Sequence, residues 1–325
     1  METSTGSPIN LAPPVSPQRQ KPPMQLMLPD RPEPFVLGGV RVDRMSRTET
    51  LAWLEVALRE RRKQCEAGLR PCSEEMRPAS RPKPATGEKQ SASRQAASAL
   101  LPLVVVGPNA HIVTEAQHLT VLRWALGQAD LSVADGISVL LASRLLGKPI
   151  PERITGGELM ESLCALAAKE GYSVYFLGGL PGAAKGAARA LCARYPGLRV
   201  AGTDCPQTSF TSHLVASAKV VERIQAAQPD LLFVALGVPK QERWVMENLK
   251  HLPVLLAMSV GAALDTRAGL RKRAPSWTHR IGMEWAYRFL MEPRRLGRRY
   301  IVGNSRFLWL TWQAWREQKR KARPQ

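Results

Sequence analysis

Polar residues follow two of the apolar runs in this chain, and their side chains suit either proton transfer or helix capping. Asp135 comes directly after the run 131–134 and precedes a helical stretch that begins at Ile137. A carboxylate there serves either as the cap of the next helix or as a general base held by a rigid strand, and the residues leave these two interpretations equal. Asn109 follows the run 101–106, where a helix cap is the favoured interpretation.

A glycine-containing loop after the run 174–177 has the composition of an anion-binding turn. Gly178 and Gly179 precede a helix that begins at Ala183. Glycine allows a phosphate to approach the backbone closely, and a helix N-terminus stabilises the negative charge. The loop is a distant form of G-x-G-x-x-G without the acidic ribose partner at the expected spacing. It is therefore compatible with a nucleotide and does not favour NAD.

Three further positions carry polar side chains that suit a binding site. Gln241 follows the run 231–237 in the stretch Gly-Val-Pro-Lys-Gln-Glu, which is more specific than the first turn of a helix requires. Arg153 and Thr155 lie in a basic stretch for which a solvated surface is the simpler interpretation. The five histidines show no spacing that indicates a metal site, so no metal is predicted.

The order of apolar runs and helical stretches predicts how these residues are positioned. Continuous apolar strands that alternate with amphipathic helices indicate a Rossmann-like α/β fold, in which a mainly parallel sheet is covered by helices on both faces. Ligands of such sheets bind beyond the carboxyl ends of the strands, which is where the polar residues lie. The predicted strands are 101–106, 131–134, 174–177, 198–202, 231–237 and 253–260, with helices that include 183–195 and 213–228.

The regions around this core differ in composition. Residues 1–34 are rich in Pro, Ser and Gln and are predicted to form a disordered tail, and 66–98 have the composition of a disordered insertion. Between them, a first strand is predicted at 35–42 and a helix at 46–63. The catalytic domain is therefore predicted to span 35–265.

The C-terminal segment, 266–325, is strongly basic and rich in tryptophan. It carries sixteen Lys+Arg and three Asp+Glu, a net charge of +13 out of +19, and five of the chain's eight tryptophans. Arginine binds phosphate through its charge and its fork of donors, and tryptophan prefers the membrane–water interface. The segment is predicted to be a helical appendage that docks on an anionic membrane surface.

Bulk composition excludes several other classes. The chain has 325 residues and is 44% apolar, enough for one large domain or two small ones. Aromatic residues are only 6% and are not distributed as stacking platforms for bases, so nucleic acid is not a predicted partner. Five cysteines without C-x-x-C spacing favour a reduced cytosolic protein. No apolar run approaches ~20 residues and the N-terminus lacks a signal-peptide pattern, so a cytoplasmic, peripheral location is expected.

Taken together, the motifs resemble the WecG/TagA/CpsF glycosyltransferases, inverting enzymes that build bacterial surface polysaccharides. The resemblance covers about 35–65 and 101–310, with the motifs in the family's order. The matching stretches are ADGISVLLASRLLGKPIPERITGGEL, FLGGLPG, RYPGLRVAGT, DLLFVALGVPKQERW and RAPSWTHRIGMEWAYRFLMEPRRLGRRYIVGN.

The resemblance implies transfer of a hexose from a UDP-sugar to a sugar linked to undecaprenyl diphosphate, without metal or other cofactor. It implies that Asp135 is the general base. The predicted UDP-sugar site contains Asn109, Arg153, Thr155, Gly178, Gly179 and Gln241. The predicted lipid-diphosphate site contains Arg288, Arg295 and Arg298, which share one face if the segment is a single helix not broken at Pro293.

The resemblance also concerns assembly and location. It implies an enzyme on the inner leaflet of the cytoplasmic membrane, where the lipid-linked acceptor lies. It further implies a homo-oligomer in which the appendage completes the active site, which is a hypothesis for this chain.

Two departures from the family pattern affect specificity. Gly107 stands where the family usually has Thr, and residues 261–265 read Gly-Ala-Ala-Leu-Asp instead of Gly-Gly-Ala-Phe-Asp. The donor hexose is therefore open among N-acetylmannosamine, its uronic acid and glucose.

Two alternatives to a glycosyltransferase are considered. One is a Rossmann oxidoreductase, which the absence of the dinucleotide-binding fingerprint disfavours. The other is a catalytically degenerate family member that acts as a lipid-binding adaptor.

Overall fold

The structure is a computed structural model that describes residues 29–67, 100–206, 211, 214–271 and 293–321, without side-chain detail at 293–302. A six-stranded parallel sheet forms its centre, in the order β4-β3-β8-β7-β5-β6. Its strands are β3 (Leu103–Val106), β4 (Leu131–Ser132), β5 (Ser173–Gly178), β6 (Arg199–Asp204), β7 (Leu231–Ala235) and β8 (Leu256–Ser259). All six lie within or overlap the predicted apolar runs, and the predicted Rossmann-like α/β fold is confirmed.

Helices cover both faces of this sheet, as predicted. The helices are α1 (Arg47–Glu66), α2 (Ala110–Glu115), α3 (Thr120–Gly127), α4 (Ile137–Leu145), α5 (Gly156–Glu170), α6 (Ala183–Arg194), α7 (Leu214–Ala227), α8 (Lys240–Asn248), α9 (Ala263–Arg267) and α10 (Pro293–Lys321). One face of the sheet is covered by α2, α3, α4, α7 and α8, and the other by α1, α5, α6 and α9. A short 3₁₀ turn at Leu249–His251 follows α8.

Burial on both faces explains why the strands read as continuous apolar runs. In β3, Val104 and Val106 pack into the core on one face, whereas Leu103 and Val105 pack into the core on the other. Side chains alternate between the faces of a strand, so both sets must be apolar when both faces are covered. The sheet is therefore rigid, and its carboxyl edge is where polar side chains reach solvent.

The predicted first strand at 35–42 is wrong in one respect. The segment forms a hairpin of two antiparallel strands, β1 (Phe35–Leu37) and β2 (Val40–Val42). Gly38 and Gly39 connect them with φ values of +56° and +75°. Two consecutive residues with positive φ make a tight turn that matches the twist of a hairpin, and glycine adopts that conformation without a steric penalty.

The helix α1 begins as predicted and ends three residues later. Ser46 caps it, with a capping box in which Glu49 bonds back to the Ser46 backbone. Ahead of it, Arg31 donates a hydrogen bond to the Asp130 carbonyl at 2.6 Å and lies 4.7 Å from the centre of the Trp53 ring. Contacts with the domain thus begin before the predicted tail boundary at residue 34. The rest of that tail, 1–28, and the predicted insertion, as 68–99, lie outside the described residues.

The helix α10 packs on the domain next to α2. Phe307 is buried in the core on the α2 side of the sheet, and Thr311, one turn later, is buried too. The described part of α10 starts at Pro293. None of the helices within the described ranges combines the length and the apolar character needed to cross a membrane.

Candidate functional site

Asp135 lies at the carboxyl edge of the sheet, just beyond β4, and is half-buried. Its Oδ1 accepts a hydrogen bond from the Gly156 N–H at 3.2 Å, and its Oδ2 accepts one from Asn109 Nδ2 at 3.3 Å. Gly156 is the first residue of α5, so the carboxylate lies at the positive end of that helix dipole. Both donors favour a negatively charged carboxylate that is fixed in orientation, as a general base requires.

Asn109 both caps a helix and donates a hydrogen bond to Asp135. It caps α2, because its Oδ1 accepts a hydrogen bond from the Ile112 N–H at 3.2 Å. That bond directs the amide nitrogen the other way, toward Asp135. The helix cap therefore determines which end of the amide faces the carboxylate.

Two glycines allow this close packing. An added Cβ at Gly136 would lie 3.0 Å from the Asn109 Cβ, and one at Gly107 would lie 3.3 Å from the Asp135 Cβ. Both distances are shorter than ordinary van der Waals contact. Gly107, where the family pattern predicts Thr, thus lies directly beside the candidate base.

The N-terminus of α5 is held by its own capping residues. Thr155 is the N-cap and forms a capping box with Glu158. Burial raises the pKa of Glu158, but hydrogen bonds from Thr155 and the charges of Arg47 and Arg153 outweigh it, so that this pKa lies below its usual value. Thr155 therefore serves α5 directly, and Arg153 lies close to the first turn of the same helix.

Gln241 lies in the first turn of α8 and is buried. Its Oε1 accepts a hydrogen bond from the Gly261 N–H at 3.2 Å, and its Nε2 donates one to Glu242 Oε1 at 2.6 Å. The bond with Gly261 ties α8 to the loop that follows β8. An added Cβ on Gly156 would lie 3.6 Å from the Val260 Cα, so this loop packs against the start of α5.

Glu242 is a buried acid that the sequence analysis did not single out. Burial raises its pKa to about 7, and hydrogen bonds from Gln241 and from its own N–H offset this only in part. The sequence could have indicated this residue, because Val245 and Met246 follow Glu242 by three and four residues. All three therefore lie on one face of the helix, and Val245 and Met246 are buried. An acid on the apolar face of a helix is uncommon enough to mark a candidate site residue.

The glycine loop after β5 has a different geometry from that of a phosphate cradle. The Gly179 N–H donates to the Ala235 carbonyl at 2.8 Å, and the Leu180 N–H donates to Asp265 Oδ1 at 2.7 Å. An added Cβ on Gly178 would lie 2.6 Å from the Ala235 carbonyl oxygen. The Gly179 and Leu180 amides have protein acceptors, one of them the Asp265 carboxylate, and the contact of Gly178 and Gly179 with the UDP-sugar stays a prediction.

The remaining predicted site residues are only partly described. Arg288 lies outside the described residues, and for Arg295 and Arg298 the structure describes only the backbone of α10. Within the described ranges, no group of three or more His, Cys, Asp and Glu is placed to hold a metal ion. The structure thus brings together Asp135, Asn109 and the start of α5, with the β8 loop joining them to Gln241.

Comparison with known proteins gives matches over the same region. A model of the Glycosyl transferase WecG/TagA/CpsF family matches residues 87–321. An N-acetylglucosaminyldiphosphoundecaprenol N-acetyl-beta-D-mannosaminyltransferase of Staphylococcus aureus (strain MW2) is 35% identical over 200 residues, which is 60% of this chain and 75% of that protein. Its namesake from strain NCTC 8325 / PS 47 is 34% identical with the same coverage. The family match includes the parallel sheet, the cluster around Asp135 and the helix α10.

Proposed function

The chain belongs to the WecG/TagA/CpsF glycosyltransferase family, and on that premise we propose that it transfers a hexose from a UDP-sugar to a sugar carried on undecaprenyl diphosphate. The observation that carries the proposal is the position of Asp135, a half-buried carboxylate fixed by two N–H donors at the carboxyl edge of a parallel sheet. Ligands of such sheets bind at this edge. By name, the relatives use a diphosphoundecaprenol-linked N-acetylglucosamine, and a lipid-linked acceptor of this kind is proposed here as well.

Asp135 is the proposed general base. An acceptor hydroxyl oxygen attacks the anomeric carbon, the bond from that carbon to the UDP oxygen breaks, and the hydroxyl proton passes to the Asp135 carboxylate. Attack from the face opposite the leaving group inverts the configuration. The two N–H donors support this role because they hold the carboxylate in one orientation while the acceptor approaches.

The proposed donor site extends from Asp135 along the sheet edge. Asn109 lies beside the base, Arg153 lies close to the first turn of α5, and Gln241 bonds to the β8 loop. Arg153 and the positive end of α5 supply favourable electrostatics for a departing diphosphate, which supports catalysis without a metal or other cofactor. The donor hexose is proposed to be N-acetylmannosamine, its uronic acid or glucose.

The appendage is proposed to dock the enzyme on the cytoplasmic leaflet, where the acceptor lipid lies. On α10, Leu308, Trp309 and Trp312 are 67%, 56% and 47% exposed, whereas Phe307 on the other side is buried. Arg316 lies 5.1 Å from the centre of the Trp312 ring. A face of exposed tryptophans with neighbouring cations suits an anionic membrane surface.

Two further parts of this proposal concern 266–325, the appendage. Arg288, Arg295 and Arg298 are proposed to bind the lipid diphosphate through charge-assisted, bidentate hydrogen bonds. A homo-oligomer in which the appendage completes the site is proposed on the same basis. Both rest on the family resemblance and on the basic composition of this segment.

Asp135→Asn tests the proposal directly. Because the amide cannot accept the hydroxyl proton, kcat is expected to fall by about 10²–10⁴-fold while UDP-sugar binding remains. Asp204→Asn is the matched control, since Asp204 ends the edge strand β6 and pairs with Arg223. Retained turnover in the Asp135→Asn protein would remove Asp135 as the base, and equal losses in both variants would indicate a general effect on the fold.

A further inference from the structure

Glu242 is a buried carboxyl group whose side chain has one hydrogen-bonding partner among the described residues. Its side chain is 2% exposed, and its Oε1 accepts the hydrogen bond from Gln241 Nε2 at 2.6 Å. Its Oε2 accepts no hydrogen bond from the described part of the chain. A buried polar atom without a partner destabilises a fold, so such an arrangement calls for an explanation.

The surroundings of Glu242 do not compensate for its burial. Within the described residues, α8 packs against α3, α7, the 3₁₀ turn, β7 and β8. The strands β7 and β8 contain no titratable side chain. The other charged and titratable side chains of α8 itself, and those of α3, α7 and the 3₁₀ turn, are all exposed: Arg123, Lys219, Glu222, Arg223, Lys240, Arg243, Glu247, Lys250 and His251. None of them contributes to the raised pKa of Glu242, which follows from burial.

Such a group destabilises the fold, and proteins retain destabilising groups mainly where function needs them. Its hydrogen bond with Gln241 indicates what that function is. Glu242 touches Gln241, which in turn holds the Gly261 N–H. Gly261 belongs to the loop that packs against the start of α5, whose first N–H binds Asp135.

The two contacts of Gln241 require opposite ends of its amide. The Gly261 N–H needs the carbonyl oxygen, and the Glu242 carboxylate needs the NH₂ group. With both partners present, only one orientation of the amide satisfies both. The NH₂ group can donate two hydrogen bonds and uses one on Glu242, and the carbonyl oxygen can accept two and uses one on Gly261. The amide therefore keeps one donor and one acceptor for another group.

We propose that Glu242 is a positioning residue that acts through Gln241, fixing the Gln241 amide in the orientation that recognises the sugar nucleotide. This rests on the proposed function, in which Gln241 belongs to the donor site. Glu242 itself does not touch the donor. It holds the Gln241 amide in its binding orientation before the donor binds, so that donor binding does not have to order this side chain.

The test compares Glu242→Met with Glu242→Gln in the full chain. Methionine has a similar shape but no oxygen acceptor, so the Gln241 amide loses its partner. The donor KM is expected to rise about three- to tenfold, the equivalent of one hydrogen bond, while kcat stays within about twofold. Glutamine offers a carbonyl oxygen to the same NH₂ group and is expected to recover most of the lost donor affinity.

Thermal unfolding at pH 8 separates positioning from a merely structural role. Because methionine removes a buried carboxyl, Glu242→Met is expected to melt at or above the wild-type temperature while it binds the donor more weakly. Glu247→Gln is the control, since Glu247 is an exposed acid on the same helix that pairs with Arg243. Both of its readouts are expected to match the wild type.

The outcomes also separate this inference from the proposed function. An unchanged donor KM in Glu242→Met, with normal wild-type transfer, would overturn this inference alone. A higher KM that accompanies a lower melting temperature and is not recovered by Glu242→Gln would also overturn it, because the residue would then be structural. No transfer by the wild type with any donor would overturn the proposed function, and this inference with it.

Discussion

Replacing Glu242 with Gln removes a buried ionisable group, and the resulting change in stability must depend on pH. The pKa of Glu242 lies at about 7 in the folded chain, against an ordinary value of 4.5. The folded state therefore holds the proton more tightly than the unfolded state. The stability that Glu242 contributes is complete below pH 4.5 and is lost as the pH rises through 7.

The size of this loss follows from the two pKa values. The two pKa values differ by about 2.5, and a pKa difference of one corresponds to ~1.4 kcal/mol. The free energy of unfolding therefore falls by about 3 kcal/mol when the loss is complete. At pH 5 the loss is still below ~1 kcal/mol, because the folded carboxyl is protonated and the unfolded one is only partly ionised. Glutamine does not titrate, so Glu242→Gln is expected to gain about 2–3 kcal/mol over the wild type between pH 5 and pH 8.5.

Urea unfolding of both proteins at these two pH values measures this difference. Because each comparison is made at one pH, the titration of all other groups cancels. The melting temperatures are expected to diverge in the same direction, at roughly 2–4 °C per kcal/mol for a domain of this size. The same measurement on Glu247→Gln controls for the loss of one negative charge from α8.

A stability difference between Glu242→Gln and the wild type that stays constant from pH 5 to pH 8.5 would refute the reasoning. So would a difference that narrows as the pH rises, because Glu242 would then be stabilised as an anion by a partner. Either result would place the carboxyl in a more polar environment than the structure gives it.

Three further changes give expected outcomes. Gly107→Ala puts a methyl group 3.3 Å from the Asp135 Cβ. We expect kcat, measured as UDP release, to fall up to about tenfold, and an unchanged kcat would mean that Asp135 does not need its present position. The double change Trp309→Ala and Trp312→Ala is expected to weaken sedimentation with anionic vesicles several-fold, and equal binding would separate these side chains from docking. EDTA is expected to leave transfer unchanged, and strong inhibition that added divalent cation reverses would contradict the metal-independent proposal.

The sequence predicted the fold well because burial on both faces imposes a readable pattern. All six strands of the sheet lie within or overlap apolar runs, since each needs apolar side chains on both of its faces. The position of Asp135 and Asn109 at one edge followed from the same rule, because both come directly after parallel strands. The turn at Gly38 and Gly39 was predictable from the glycine pair, but the apolar residues on either side suggested one strand.

What the sequence did not reveal depends on contacts between distant parts of the chain. In the glycine loop at 178–182, the Leu180 N–H bonds to Asp265, which lies 85 residues later. The burial of Glu242 depends on how α8 packs against α3 and the sheet. A motif gives the types of residue present, whereas three-dimensional packing decides which polar atoms already have partners.

The most direct test of the central claim is acceptor-dependent transfer. The purified full chain is mixed in detergent with a prenyl-diphosphate-linked N-acetylglucosamine and a panel of UDP-hexoses, and both UDP release and the mass of the lipid product are measured. We expect UDP to be released only when one particular donor and the lipid acceptor are both present, and the lipid to gain one hexose. Absence of release with every donor, in a protein that still binds anionic vesicles, would contradict it and indicate a lipid-binding adaptor.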